Sequence, residues 1–162
     1  MEDVSVTVVS VTTVGDDAKV IEFESPDGFE AQPGQFVKLG TVVDCEEMNR
    51  FYTISSPDVE ETFDVTIEID PEGEFGPYLD DLDAGDTLTM SGPYGSDYYE
   101  DEPRAVVLAG GPGVGPAIGI ASRAVDDGGE AAIVYRDDDP IHEAALAALE
   151  SDGVTVHVLD AD

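Results

Sequence analysis

Basic side chains are scarce in this sequence: six Lys and Arg stand against thirty-eight Asp and Glu, a formal net charge of −32. A shortage of cations on that scale excludes a nucleic-acid partner, because the phosphate backbone is held by a basic footprint. It excludes anionic membrane surfaces for the same reason. The acids interleave with periodic apolar residues along the whole chain instead of gathering in a disordered tail. That pattern reads as a solvated surface suited to a high-salt interior. At ~1 M salt the Debye length is only ~3 Å, so self-repulsion that would loosen the fold is screened. Cysteine is almost absent too. Cys45 stands alone, which leaves no disulfide framework, no thiolate metal site and no iron–sulfur cluster built from this chain, and a free thiol suits a reducing cytoplasm. Met1-Glu2-Asp3-Val4 has no basic segment leading into an apolar one, so no export signal is read there. The longest uncharged run, Ala105 to Ser122, is interrupted by Gly110, Gly111, Pro112, Gly113, Gly115 and Pro116. No membrane insertion is expected from it, although it approaches the ~20 residues of a span.

What is present divides into two textures. The first hundred residues read as strands. Val4, Val6 and Val8 alternate with Ser5 and Thr7, and the phase slips at Val9 as a bulge requires. Ile21 and Phe23 alternate with acids. Phe36 to Leu39 follows the turn signal Pro33-Gly34, and Arg50 to Ser55 is a further strand ended by Pro57. Phe63, Val65, Ile67 and Ile69 alternate with Asp64, Thr66, Glu68 and Asp70, and Leu88 and Met90 repeat the pattern. Short strands punctuated by Gly, Pro and Asp predict a closed barrel or sandwich, interrupted by one short helix near Pro77 to Leu82.

From about Asp101 to Pro103 the pattern changes. Ala105 to Ala109 is a continuous apolar strand, of the kind buried on both faces of a parallel sheet. A glycine-rich turn then opens a helix with Pro116 at its first position, where the missing N–H costs nothing. Its inner face is Ala117, Ile118, Ala121, Ala124 and Val125, and Gly128-Gly129 ends it. Ala131 to Tyr135 is a second strand. Pro140 starts a second helix behind Asp138 and Asp139, and Val154 to Leu159 is a third strand. The order βαβαβ is that of a doubly wound nucleotide domain.

Two stretches carry chemistry. Gly110-Gly111-Pro112-Gly113-Val114-Gly115-Pro116 lies between a strand and a helix, where free amides bind phosphate and glycine lets the backbone approach closely. The same glycines also serve to pack a helix on a strand, and both uses stay open. In Arg50-Phe51-Tyr52-Thr53, an Arg within a strand is flanked by aromatics. A guanidinium fork matches phosphate oxygens, Tyr52 offers a flat face, and Thr53 a hydroxyl. Taken alone, these four residues fit an edge-strand Arg paired with a carboxylate slightly better. His142 and His157 have no metal-ligand spacing and read as a helix-face and a strand residue, and no metal site is expected.

Order adds weight. Pro33-Gly34-Gln35-Phe36-Val37, Arg50-x-Tyr52-Thr53-x-Ser55-Ser56-Pro57, Gly73-x-Phe75-Gly76-x-x-Leu79, Gly92-Pro93-Tyr94-Gly95 and Leu108-Ala109-Gly110-Gly111-x-Gly113-x-Gly115-Pro116 follow one another in that sequence. Together they resemble the ferredoxin–NADP reductase superfamily. The resemblance implies a six-stranded antiparallel Greek-key FAD-binding barrel over residues 1–101. A short parallel βαβαβ domain for NAD(P) would follow over 102–162, C-terminally incomplete after its third strand. It implies that Arg50 holds the FAD pyrophosphate, Tyr52 stacks on the isoalloxazine and Thr53 bonds near its N5, the two latter being the catalytic positions. Ser55, Gly73, Phe75 and Gly76 complete the FAD set. Gly110, Gly111, Gly113 and Gly115 would face the nicotinamide nucleotide's diphosphate, with Arg136 at the adenosine ribose or its phosphate. Tyr98 and Tyr99 would cover flavin or adenine, or pack between domains. The sequence departs from the pattern at Gly76, where relatives carry Ser or Thr, and at Pro112 and Gly115, which replace hydroxyl residues. The implied activity is an FAD-dependent oxidoreductase passing electrons between NAD(P)H and a ferredoxin, another protein or a small-molecule acceptor. Two other readings stand beside it. One is an FAD-carrying electron-transfer subunit that does not itself use NAD(P)H, its nucleotide site completed by a partner chain. The other is a non-redox binding module.

Overall fold

A computed structural model describes residues 1–161. Six antiparallel strands come first: β1 (Val4–Thr13), β2 (Ala18–Glu24), β3 (Phe36–Val43), β4 (Glu46–Thr53), β5 (Thr62–Glu68) and β6 (Thr87–Tyr94). They run in the spatial order β4-β3-β6-β1-β2-β5. The end strands β4 and β5 approach each other through a single bridge, Ile54 to Val65, so the barrel is closed at one point and open along the rest of that seam. The alternation expected of β1 breaks where predicted: Val8 pairs with Phe23 and the next partner is Ser10 with Glu22. Val9 is the unpaired residue, which lets Val6 and Val8 stay buried while the strand bends. Ile21, Phe23, Phe63, Val65 and Ile67 fill the barrel, with Val37, Leu39 and Met90 from the facing strands.

Strands β3 and β4 are joined by a two-residue turn in which Asp44 and Cys45 both have positive φ, 50° and 68°. Both central residues are left-handed, as in the hairpin turn whose twist matches its strands. Neither residue is glycine, so the sequence carried no signal for this turn. β4 therefore begins at Glu46 and not at Arg50 as expected. Helix α1 (Phe75–Asp80) starts two residues before its expected place.

The second unit is a parallel sheet, β7 (Arg104–Gly110), β8 (Glu130–Arg136) and β9 (Thr155–Leu159), in that spatial order. Helices α2 (Val114–Asp126) and α3 (Glu143–Ser151) cover one face. The expectation that β7 is buried on both faces is overturned: Val106 and Leu108 are 71% and 78% exposed, while Ala105, Val107 and Ala109 pack under the helices. An uninterrupted apolar run does not distinguish a strand covered twice from one covered once, and no described element lies over the second face. α2 begins at Val114, so Pro116 sits within its first turn and not at its start. α3 begins at Glu143 and not at Pro140. His142 is held left-handed at φ 60°, and the Ile141 amide is taken by the Tyr135 hydroxyl at 3.2 Å. No helix among the described residues is long and apolar enough to cross a membrane.

Candidate functional site

Strand alternation sets the first half of the site. On β4, Arg50 and Tyr52 share one face and Phe51 and Thr53 the other. The Tyr52 ring packs half-buried against the barrel core. Burial raises its phenol pKa and the neighbouring Arg50 guanidinium opposes that rise. Arg50 itself is exposed and donates from Nη1 to the Asn49 carbonyl at 2.7 Å. Its freedom is informative. Lys19, Lys38, Arg104 and Arg123 each pair with a carboxylate. Arg50 and Arg136 pair with none among the described residues. The edge-strand ion pair that was the plain alternative for Arg50 is therefore not formed.

A groove of about 240 Å³ runs from Arg50 and Tyr52 to Gly73 and Gly76, at the seam the barrel leaves open. Glu68, Asp70 and Glu74 also line it. A Cβ at Gly76 would lie 3.0 Å from the Asp70 carbonyl oxygen, a backbone contact that cannot swing aside. The start of α1 lies close over Asp70, so a side chain at this position would need the Asp70 backbone to shift by a few tenths of an ångström. The Phe75 side chain points the other way, buried in the core and stacked on Tyr78 at 6.2 Å between centroids, so only its backbone is on the groove side. The Ser55 hydroxyl is also committed. It lies 2.9 Å from the Thr66 hydroxyl and accepts the Thr66 amide at 3.0 Å. Thr53 ends β4 opposite Phe36, whose ring meets Phe51 and Tyr94 edge-on or tilted at 5.7 and 5.8 Å.

The glycine turn forms the second half. Gly110 ends β7, Gly111 takes φ +52°, and Gly113 has open space where a side chain would be. Gly115 does not face that space. A Cβ there would fall 2.0 Å from the Thr66 hydroxyl and 2.6 Å from that of Ser55, and one at Gly119 would fall 2.4 Å from the Ser55 carbonyl. These two glycines let α2 lie on the barrel, which is the packing use of the motif. The same junction holds His142, whose Nε2 is 2.9 Å from the Thr66 hydroxyl. Desolvation lowers the pKa of His142.

Gly111 opens onto a cleft of about 250 Å³ lined by Asp16, Asp17, Glu68, Asp137 and Asp139, with no Lys or Arg among its walls. Asp137 accepts the Tyr135 hydroxyl at 2.9 Å and the Asp139 amide at 3.1 Å. The Asp139 amide, then the Tyr135 hydroxyl and the Asp138 and Gly111 amides, hold its carboxyl below the usual carboxylate range against the opposing effect of burial. Burial pushes the Tyr135 phenol up to about 12. Arg136 is directed elsewhere, to the Asp160 carbonyl at 3.4 Å and to that of Ala161. Tyr99 is buried in the core under the parallel sheet, its hydroxyl donating to the Glu102 carbonyl at 3.3 Å. Tyr98 lines a separate cleft with Gly34 and Val106. Sequence reasoning missed Glu68, Asp137 and His142. In a chain with thirty-eight acids no carboxylate stands out, and His142 lacks any partner at a telling spacing.

Residues 5–99 match the family described as the oxidoreductase FAD-binding domain. The glycine betaine monooxygenase reductase subunit of Chromohalobacter salexigens is 37% identical over 101 residues, 60% of this chain and 27% of that protein. The probable dihydroorotate dehydrogenase B (NAD(+)) electron transfer subunit of Methanopyrus kandleri is 41% identical over 93 residues, 57% of this chain and 33% of that protein. The chain thus spans between 27% and 33% of the length of these curated relatives. Among solved structures, the flavohem-like FAD/NAD binding domain of nitric oxide dioxygenase from Vibrio cholerae superposes with a TM-score of 0.88 at 15% identity. That match covers all of this chain and 80% of that one, a likeness of fold.

Proposed function

The chain belongs to the oxidoreductase FAD-binding domain family, and from that premise we propose that it is an FAD-dependent oxidoreductase passing electrons between NAD(P)H and a protein or small-molecule acceptor such as a ferredoxin. The observation that carries this reading is Arg50: a guanidinium without a carboxylate partner, beside a half-buried phenol, at the mouth of an open groove. That donor set fits a flavin dinucleotide, whose charged bridge needs a fork of N–H donors and whose tricyclic head needs a flat apolar contact.

In this reading Arg50 grips the pyrophosphate, helped by the backbone amides of Phe75 and Gly76, while Gly73 shapes the turn, its own amide donating to the Asp70 carbonyl at 3.0 Å. Tyr52 lies against the ring system and Thr53 offers its hydroxyl near the reacting edge. Ser55 serves the junction with α2 instead of the FAD: its hydroxyl meets that of Thr66, its amide donates to the Asp64 carbonyl and its carbonyl lies against Gly119. FAD, when bound, supplies the hydride and single-electron chemistry, and the protein supplies position and electrostatics. The nucleotide would approach Gly110, Gly111 and Gly113. Arg136 meets its ribose or phosphate only by leaving its present carbonyl partners, and Gly115 contributes through packing. The net charge of −32 supports a setting in a high-salt cytoplasm.

A second reading is favoured by one observation. The face of the parallel sheet carrying Val106 and Leu108 is uncovered among the described residues. An FAD-carrying electron-transfer subunit whose partner chain covers that face, and which itself leaves NAD(P)H alone, accounts for it. Anaerobic addition of NADH or NADPH to the FAD-loaded chain separates the two. Bleaching of the flavin absorbance is expected on the first reading, and retained colour supports the second.

A further inference from the structure

The glycine turn and its cleft disagree about charge. A turn of this kind presents free amides that suit an anion. The cleft onto which Gly111 opens is walled by five carboxylates and no cation. Asp137 is the carboxylate held in place there. Tyr135, fully buried, donates its hydroxyl to one oxygen, and the Asp139 amide binds the other. The Asp139 contact is an ordinary Asx turn. Its nearness to Gly111 is not explained that way: Gly110 pairs with Arg136 on the adjacent strand, which sets Asp137 beside Gly111 on the wall of the same cleft. From the barrel side, Glu68 Oε2 stands 4.0 Å from where a Gly111 side chain would begin. The cation best placed by sequence to offset these charges, Arg136, faces the Asp160 and Ala161 carbonyls instead.

We propose that Asp137 is the anion already seated at the glycine turn, so that it excludes an external diphosphate from Gly111 and determines how strongly, and at what salt, this cleft admits a nicotinamide nucleotide. The inference rests on the reading that such a nucleotide approaches the turn. It carries a sign. Anionic ligands ordinarily bind more weakly as salt rises, because salt screens the attraction that recruits them. Here the unscreened force is repulsive, so binding strengthens with salt until the Debye length falls below the spacing of the carboxylates.

The test uses FAD-loaded chain, with the Gly111 amide resonance as the reporter and inorganic pyrophosphate as the probe. Titrations run at the lowest KCl that keeps the chain folded and again at molar KCl. Asp137→Asn keeps an acceptor for the Asp139 amide while removing the charge. Asp16→Asn removes an equal charge from the same cleft without touching the turn. In the native chain at low salt the Gly111 resonance should not move. In D137N it should move saturably, with affinity at least about tenfold above native and above D16N, and the gap should narrow at molar KCl. Asp137→Ser serves in the same way if the Asn variant does not fold. Saturable binding at Gly111 in the native chain at low salt overturns the proposal, and so does a D16N variant that equals D137N. NADH is then titrated in parallel. If D137N gains pyrophosphate and NADH together, the seated anion and the nucleotide reading both stand. If it gains pyrophosphate while NADH shifts nothing at either salt, Asp137 keeps its role and the nucleotide reading fails.

Discussion

Arg50 sits in a chain with thirty-eight acids and forms no ion pair among the described residues. An exposed guanidinium that is not taken up by a neighbouring carboxylate stays available to an anionic ligand. Arg50→Ala should lower FAD affinity by ~1.5–3 kcal/mol, the worth of a charge-assisted hydrogen bond. Fluorescence titration of the apoprotein with FAD measures this, and an unchanged titration removes Arg50 from the site. His142 provides a pH test. Burial lowers its folded pKa below the ordinary 6.5, so the unfolded chain takes up the proton more readily. The stability it contributes is fully present above pH 6.5 and is lost as pH falls through the folded value. His142→Gln should flatten that part of the denaturant midpoint against pH, and a native profile already flat below 6.5 contradicts the assignment. Arg50 and Tyr52 were legible in sequence because a cation and an aromatic two apart in a strand must share a face. Asp137 and Glu68 were not, since the Gly111 turn comes beside them only in the folded chain.

Elements were legible where their period is local. The slip at Val9 in β1 and the alternation of β5 needed only the two-residue repeat, which burial then enforces. Thr66 shows where that logic stops. On β5 it belongs to the outward face, yet it is buried, because α2 and His142 cover it from the second unit. β7 fails in the opposite sense, since its apolar run promised two covers and has one. The closeness of α2 to the barrel is itself testable. A Cβ at Gly119 meets the Ser55 carbonyl at 2.4 Å, and backbone cannot step aside without moving the helix. Gly119→Ala should destabilise by about 1–3 kcal/mol, as overpacking does. A thermal melt reads this as roughly 2–4 °C for each kcal/mol at this size. A variant melting with the native chain would mean that helix and barrel are not in contact.

At the scale of the whole molecule, charge dominates. A net −32 on 162 residues repels itself over ~10 Å at 0.1 M salt but over only ~3 Å at 1 M. The melting temperature should therefore climb steadily from dilute to molar KCl, and one insensitive to salt over that range refutes the reading of the acidity. Composition, strand alternation and the succession of short motifs were enough to establish an acidic two-part chain with a flavin-type barrel ahead of a parallel unit, because each is a property of neighbours along the chain. The open seam beside Arg50, the glycines spent on packing α2, and the carboxylate at Gly111 came only with the folded chain. Each depends on groups brought together from distant positions, and no local period records that distance.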